Sequence, residues 1–189
     1  TMKKILLVAT AIAFFSSCIE NGNNDRAAFR KSLLDQIKKT EEELNSSLKK
    51  TARPDNKKAE SVITLYEQFA DSFPDDSIVP VFLFREAQLA IGIARFQKAI
   101  LVLKRLCNAY PKSAKTPDAV FLIAFVYDEH LSYKAKAKEW YEKLIKSYPN
   151  HPFARDAEVA IRTLNMSDEE ILEMLKEKNR DADTLGADQ

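Results

Sequence analysis

Apolar side chains repeat in register upstream of three aromatic–proline pairs, Phe73-Pro74, Tyr110-Pro111 and Tyr148-Pro149. Eight positions before each proline stand Tyr66, Leu103 and Tyr141, and five before stand Phe69, Leu106 and Leu144. Four before stand Ala70, Cys107 and Ile145, and twelve before stand Val62, Ala99 and Ala137. Offsets of three, four and seven put these side chains on one face of an α-helix. Proline donates no backbone hydrogen bond and restricts the residue before it, so each pair marks a helix stop. Two copies also agree downstream. Pro80 and Pro117 lie six residues beyond the first proline, and Ala87 and Ala124 lie seven further on. Each unit therefore reads helix, turn, helix. Pro74, Pro111 and Pro149 are spaced 37 and 38 residues apart, a period that points to stacked helical hairpins.

The pattern predicts helices over 57–72, 78–92, 95–109, 117–130, 133–147 and 152–164. Before them, Phe29, Leu33, Ile37, Leu44 and Leu48 make a thin apolar stripe on a helix over 26–50, opposite Glu41-Glu42-Glu43 and Lys49-Lys50. That stripe can pack on the next helix or pair with a copy of itself; the lack of a sustained heptad favours the former. Residues 78–92 are apolar nearly all round and expect burial on more than one side. Ser167 and Glu170 have the spacing of a capping box, opening a short helix to about residue 179 that would cover the end of the stack. The fold expected is all-α, an antiparallel hairpin solenoid of about 2.5–3 repeats. Its parts are a leader (1–17), a tether (18–25), an N-terminal helix (26–52), the repeat domain (57–164), a capping helix (167–180) and a disordered tail (181–189).

Composition narrows this picture. The 189 residues are 46% apolar, enough for a buried core, and the three glycines and the few runs that alternate as a strand would both favour an all-α chain. A net charge of +1 gives no electrostatic reason to expect nucleic acid. The first residues have a different character. Met2-Lys3-Lys4 is followed by an apolar run from Ile5 to Phe15, too short to span a bilayer, and then by Ser16-Ser17-Cys18. This arrangement resembles a bacterial lipoprotein signal, which implies that Cys18 is lipidated and becomes the N-terminus. A plain secretory signal is the alternative. Removing residues 1–17 takes Lys3 and Lys4 from 29 basic residues and no acid from 28, leaving a net charge of −1. A polybasic mode of membrane binding is then not expected. With Cys18 lipidated, Cys107 has no partner, and its place on an apolar helix face reads as a small buried thiol.

From Pro117 onward the residues resemble the tetratricopeptide repeat. Ile123-Ala124 stand where that pattern has Leu-Gly, and Tyr127 stands at its first-helix tyrosine. Ala137, Tyr141 and Leu144 fit the second helix, and Pro149 the closing proline. The preceding unit keeps Ala87, Phe96, Ala99, Leu103 and Pro111 but has Glu86 where an apolar residue is usual. The turn before Ala137 is one residue longer than the pattern. Within the superfamily the sequence is most similar to cell-envelope members. These are the C-terminal repeats of the Tol-Pal-associated division coordinator and, less closely, a lipoprotein of the outer-membrane β-barrel assembly machine. The resemblance implies a non-catalytic adaptor in the bacterial envelope, facing the periplasm from the outer membrane and held by lipid on Cys18. Its partners would be other envelope proteins or an extended peptide.

Repeat packing is expected from Tyr66, Leu103, Tyr141, Ala87, Ala99, Ala124 and Ala137, with turns at Pro74, Pro111 and Pro149. By the repeat pattern the first helix of each hairpin lines the inner face, which would carry Phe84, Gln88 and Ile91 from one unit. The next unit would add Phe121, Phe125 and Asp128. The alternative is that these aromatics meet the N-terminal helix or the next repeat. No catalytic residue, metal site or cofactor is expected. His130 and His151 are the only histidines, no Cys/His pair has metal spacing, and three scattered glycines build no phosphate loop. Asp128-Glu129-His130 reads as a helix end, and Lys134, Lys136 and Lys138 as a solvated first turn. A self-assembling structural lipoprotein is the second reading, and a cell-wall-acting enzyme the third.

Overall fold

Three helices close in the same way, each on the aromatic residue before a proline. Phe73, Tyr110 and Tyr148 have φ of −133°, −129° and −138° with ψ of 57°, 56° and 56°. Their backbone N–H groups donate to Phe69, Leu106 and Leu144 at 2.9, 2.9 and 2.8 Å. Proline disfavours helical geometry at the residue before it, so the turn ends there. The chain then makes a further turn in all three copies: Asp76, Ser113 and His151 donate N–H to Phe73, Tyr110 and Tyr148, each at 3.0 Å. The same three residues cap the start of the next helical segment. Asp76 Oδ1 accepts from the Ile78 N–H at 3.1 Å, Ser113 Oγ from Lys115 at 3.1 Å and His151 Nδ1 from Phe153 at 3.4 Å. A side-chain acceptor at this point satisfies a backbone donor that the helix leaves open.

The computed structural model describes the backbone of residues 2–51, 55–167, 169–174 and 176–177. Side chains are described for 24–50 and, within those ranges, from 55 onward. Among the described residues the fold is all-α, with no strand. The helices are α1 (Met2–Thr51), α2 (Asn56–Ser72), α3 (Val79–Gly92), α4 (Phe96–Ala109), α5 (Lys115–Phe125), α6 (Lys134–Ser147) and α7 (Pro152–Thr163). A π-helical turn, Val126–His130, extends α5. The expected tether, 18–25, has helical backbone within α1, and the side chain of Cys18 lies outside the described set. So does the expected tail, 181–189. Residues 169–174 and 176–177 are helical. They begin with the two reciprocal bonds of the capping box: Ser167 N–H to Glu170 Oε2 at 2.7 Å and Glu170 N–H to Ser167 Oγ at 3.2 Å.

The chain forms two compact units, residues 1–82 and 83–189, and the division falls within α3. In the first unit α1 packs on α2. Leu33, Ile37 and Leu44 of α1 are buried, as are Val62, Ile63, Tyr66, Phe69 and Ala70 of α2. Full burial of each large side chain contributes about 1.5–3 kcal/mol. Aromatic contacts finish this core: Phe82 stacks on Tyr66 at 4.9 Å and meets Phe69 edge-on at 5.1 Å, and Phe29 lies 5.8 Å from Phe73. The Tyr66 hydroxyl donates to Glu41. Arg30 pairs with Asp76 at 2.5 Å. Asp55 opens α2 by accepting from the Lys57 and Lys58 N–H groups at 3.0 and 3.2 Å.

In the second unit α4 packs on α5, α5 on α6 and α6 on α7. Ala87, Ala99, Ala124, Ala137, Leu103 and Tyr141 are buried, whereas Pro111 and Pro149 are exposed in their turns. Small residues let helix backbones approach closely, and the large ones fill the space on either side. Each hairpin turn holds one residue at positive φ, Ala94 at 59° and its register mate Ser132 at 54°. The two hairpins differ by one residue: 12 positions separate Ala87 from Ala99, and 13 separate Ala124 from Ala137. That residue was expected in the loop. It is taken up instead by the π turn, where the Leu131 N–H reaches back to Val126 O at 3.2 Å. Inserting it there bulges the helix and leaves the short turn intact.

Candidate peptide-binding face

The residues expected on the open face of the first helices all lie in the second unit. Gln88 is exposed, and Phe84, Ile91 and Phe125 are half-buried. The Lys115 ammonium sits 5.2 Å from the centre of the Phe84 ring and pairs with Asp118 at 3.0 Å. Phe125 meets His130 edge-on at 5.8 Å, and His130 stacks on Phe96 at 4.4 Å with the planes 10° apart. These rings make a partly exposed aromatic ledge at the hairpin end, with an imidazole in its middle.

Phe121 has closer company. It stacks on Phe153 of α7 at 4.6 Å and lies 5.7 Å from Tyr141. For this residue the alternative reading, contact with the next repeat, describes what is seen. His151 braces the same corner: its Nε2 lies 3.4 Å from Asp118 Oδ1 while its Nδ1 caps α7.

Asp128 leaves the expected face. Straight-helix register groups it with Phe121 and Phe125, but the π turn shifts the register, and Asp128 is buried at 7% exposure. Its carboxylate pairs with Lys134 at 2.6 Å and hydrogen-bonds Tyr141. Burial raises the Tyr141 phenol well above its ordinary value, and the charges of Asp128 and Glu129 add to the effect. Asp128 thus ties the π turn to α6. Lys134, read from sequence as part of a solvated turn, has this specific partner.

One group of side chains went unrecognised in the sequence. Lys104 of α4 approaches Tyr127 and Trp140, at 5.7 and 5.5 Å from the ring centres, and its Nζ donates to the Tyr127 hydroxyl at 3.3 Å. Lys136 lies over Tyr127 and Tyr133 at 5.4 and 5.2 Å, and Lys143 over Trp140 at 4.3 Å. Tyr127 and Tyr133 stack at 6.3 Å. The alternation of lysine with alanine at 134–138 was the available signal. What it lacked was Lys104, brought in from the preceding hairpin.

Burial raises the Cys107 thiol above its ordinary value, which keeps it protonated and unreactive at neutral pH. Among the described residues, no three His, Cys, Asp or Glu side chains gather to hold a metal ion. No described helix is long and apolar enough to cross a membrane.

Residues 118–151 match the family described as Tetratricopeptide repeat. The match runs from the first turns of α5 through the π turn and α6 to the cap of α7, one whole hairpin with its closing turn. A search of curated proteins gave no match.

Proposed function

We propose, from the tetratricopeptide repeat at residues 118–151, that this chain is a non-catalytic adaptor, exported and anchored by lipid on Cys18 in a bacterial envelope. Tetratricopeptide repeats bind proteins or peptides, and the observation that carries the reading is the half-exposed first-helix face of the second unit. Phe84, Gln88 and Ile91 lie there on α3, whose Leu83, Ala87 and Ala90 are buried, and Phe125 lies on α5, which packs on α4 and α6. A rigid face loses little conformational entropy on binding, so modest contact area suffices for a useful affinity. Phe84, Ile91 and Phe125 offer apolar anchors and Gln88 a hydrogen-bonding edge, suited to an extended peptide or a partner helix. Envelope proteins are the proposed partners, and outer-membrane assembly or division the proposed setting. Both rest on sequence resemblance.

The anchor rests on the sequence Met2–Cys18. Acyl chains contribute about 0.8 kcal/mol per buried methylene, so two or more would hold the chain to a membrane. Cys18→Ala should move the protein from the membrane to the soluble fraction on cell fractionation. A variant that still pellets with membranes would remove the lipid from the proposal. The adaptor reading is tested separately, by chemical crosslinking in intact cells and capture of the chain. The expected product is a defined envelope protein lost when Phe84, Ile91 and Phe125 are replaced together by alanine. Unchanged capture by that variant would put binding elsewhere.

A further inference from the structure

We propose that Lys104, Lys136 and Lys143, with Tyr127, Tyr133 and Trp140, form a second binding site, which takes an acidic peptide segment of a partner protein. It is separate from the first-helix face and uses α4, the π turn and α6.

Three observations carry this. First, among the described residues the lysines of the group have aromatic rings as their partners, whereas Lys115, Lys134 and Lys138 each have a carboxylate. A ring face attracts an ammonium through its quadrupole but does not neutralise it, so the charge remains available to an anion. Second, the positions are fixed by packing. Tyr127 is buried at 6% exposure and receives Lys104 from α4 and Lys136 from α6, and the π turn sets its place along the helix. Long lysine side chains held against rings have less freedom to lose on binding. Third, apolar surface is open beside the charges: Tyr133 is 55% exposed, and Trp140 is half-buried between Lys104 and Lys143. Carboxylates separated by apolar side chains match that alternation of amine and ring.

The charge balance favours a peptide over an anionic bilayer. Along the π turn and α6, Asp128, Glu129, Glu139 and Glu142 stand against Lys134, Lys136, Lys138, Lys143 and Lys146, so that with Lys104 the excess is six bases over four acids, a small field a Debye length away. A membrane surface needs a broad basic field, worth about 1 kcal/mol per lysine, whereas contact with carboxylates at hydrogen-bond distance needs only local charge.

The chain contains one tryptophan, Trp140, so its fluorescence reports on the site directly. The full chain is titrated with an acetylated heptapeptide of alternating glutamate and leucine. The expected result is a saturable change in tryptophan emission, weakened at least about tenfold in the variant Lys104→Gln, Lys136→Gln, Lys143→Gln and by raised salt. Lys138→Gln, which lies outside the group, should bind as the parent does. The glutamine-for-glutamate peptide should give no saturable change. Circular dichroism of the triple variant, unchanged, establishes that it is folded; if it unfolds, the single Lys143→Gln variant, expected to weaken binding by a smaller factor, takes its place. The proposal is overturned by no saturable change with the glutamate peptide, by equal binding of the glutamine peptide, or by folded lysine variants that bind as tightly as the parent. Vesicles of phosphatidylcholine and phosphatidylglycerol in equal parts form a second arm. Lysine-dependent binding there, without peptide binding, would assign the site to a lipid surface and overturn the peptide.

Discussion

Single positions set how well each turn is made. Ala94 and Ser132 hold positive φ at equivalent places in two hairpins. That conformation costs an L-residue roughly 1–2 kcal/mol, part of which glycine returns through its greater freedom in the unfolded chain. Ala94→Gly should therefore raise stability by up to about 1 kcal/mol in chemical denaturation; a loss would show that the alanine methyl packs usefully. This strain was not legible in the sequence. The nearby glycine, Gly92, ends α3 and does not take the positive φ, so the usual marker pointed one turn too early. Asp76 is a second case, since it both caps α3 and pairs with Arg30. The hydrogen bond from the Arg30 guanidinium holds its carboxyl below the usual aspartate range. A depressed carboxylate value means stability that is present above the unfolded value of about 4 and is lost as pH falls through the folded one. Asp76→Asn should lower the denaturation midpoint near neutrality, and the difference from the parent should shrink steadily in acid. A gap unchanged down to about pH 2 would mean that the charge of Asp76 does not carry the effect.

At the scale of helices and turns, the aromatic–proline pairs made the architecture readable. Outside α1, whose helical backbone begins at Met2 and not at residue 26, predicted helix bounds and observed ones differ by a residue or two, because a proline after an aromatic ends a helix sharply. The π turn was not readable, since one additional residue between Ala124 and Ala137 looks the same in sequence whether it lengthens a loop or bulges a helix. Its consequence reaches the candidate face: Asp128, expected there from the repeat pattern, is turned against Lys134 and Tyr141. Packing of the hairpin itself hinges on Ala124, fully buried in α5. Ala124→Leu adds three heavy atoms where there is no space and should cost roughly 1–3 kcal/mol, read as a fall in the melting temperature. A melting temperature that does not move would show that α5 has room at this position.

For the molecule as a whole, the sequence told fold more clearly than function, for a physical reason. Hairpins that cannot cover their own apolar sides leave a strong periodic record. A binding face is written in the same residue types as that packing. Phe121 and Phe125 are both phenylalanines four apart in one helix, yet Phe121 is taken by Phe153 and Tyr141 while Phe125 stays half-open beside His130. The positions of α6 and α7 distinguish them. With balanced charge overall, the adaptor reading rests on local surface and not on long-range attraction. The most direct test places a photo-crosslinking amino acid at Gln88, exposed on the first-helix face, and a second at Lys38, exposed on α1, as the reference. Irradiation of intact cells should give a discrete protein adduct from position 88 that position 38 does not give. No adduct at position 88, or the same adducts from both positions, would contradict recognition through this face.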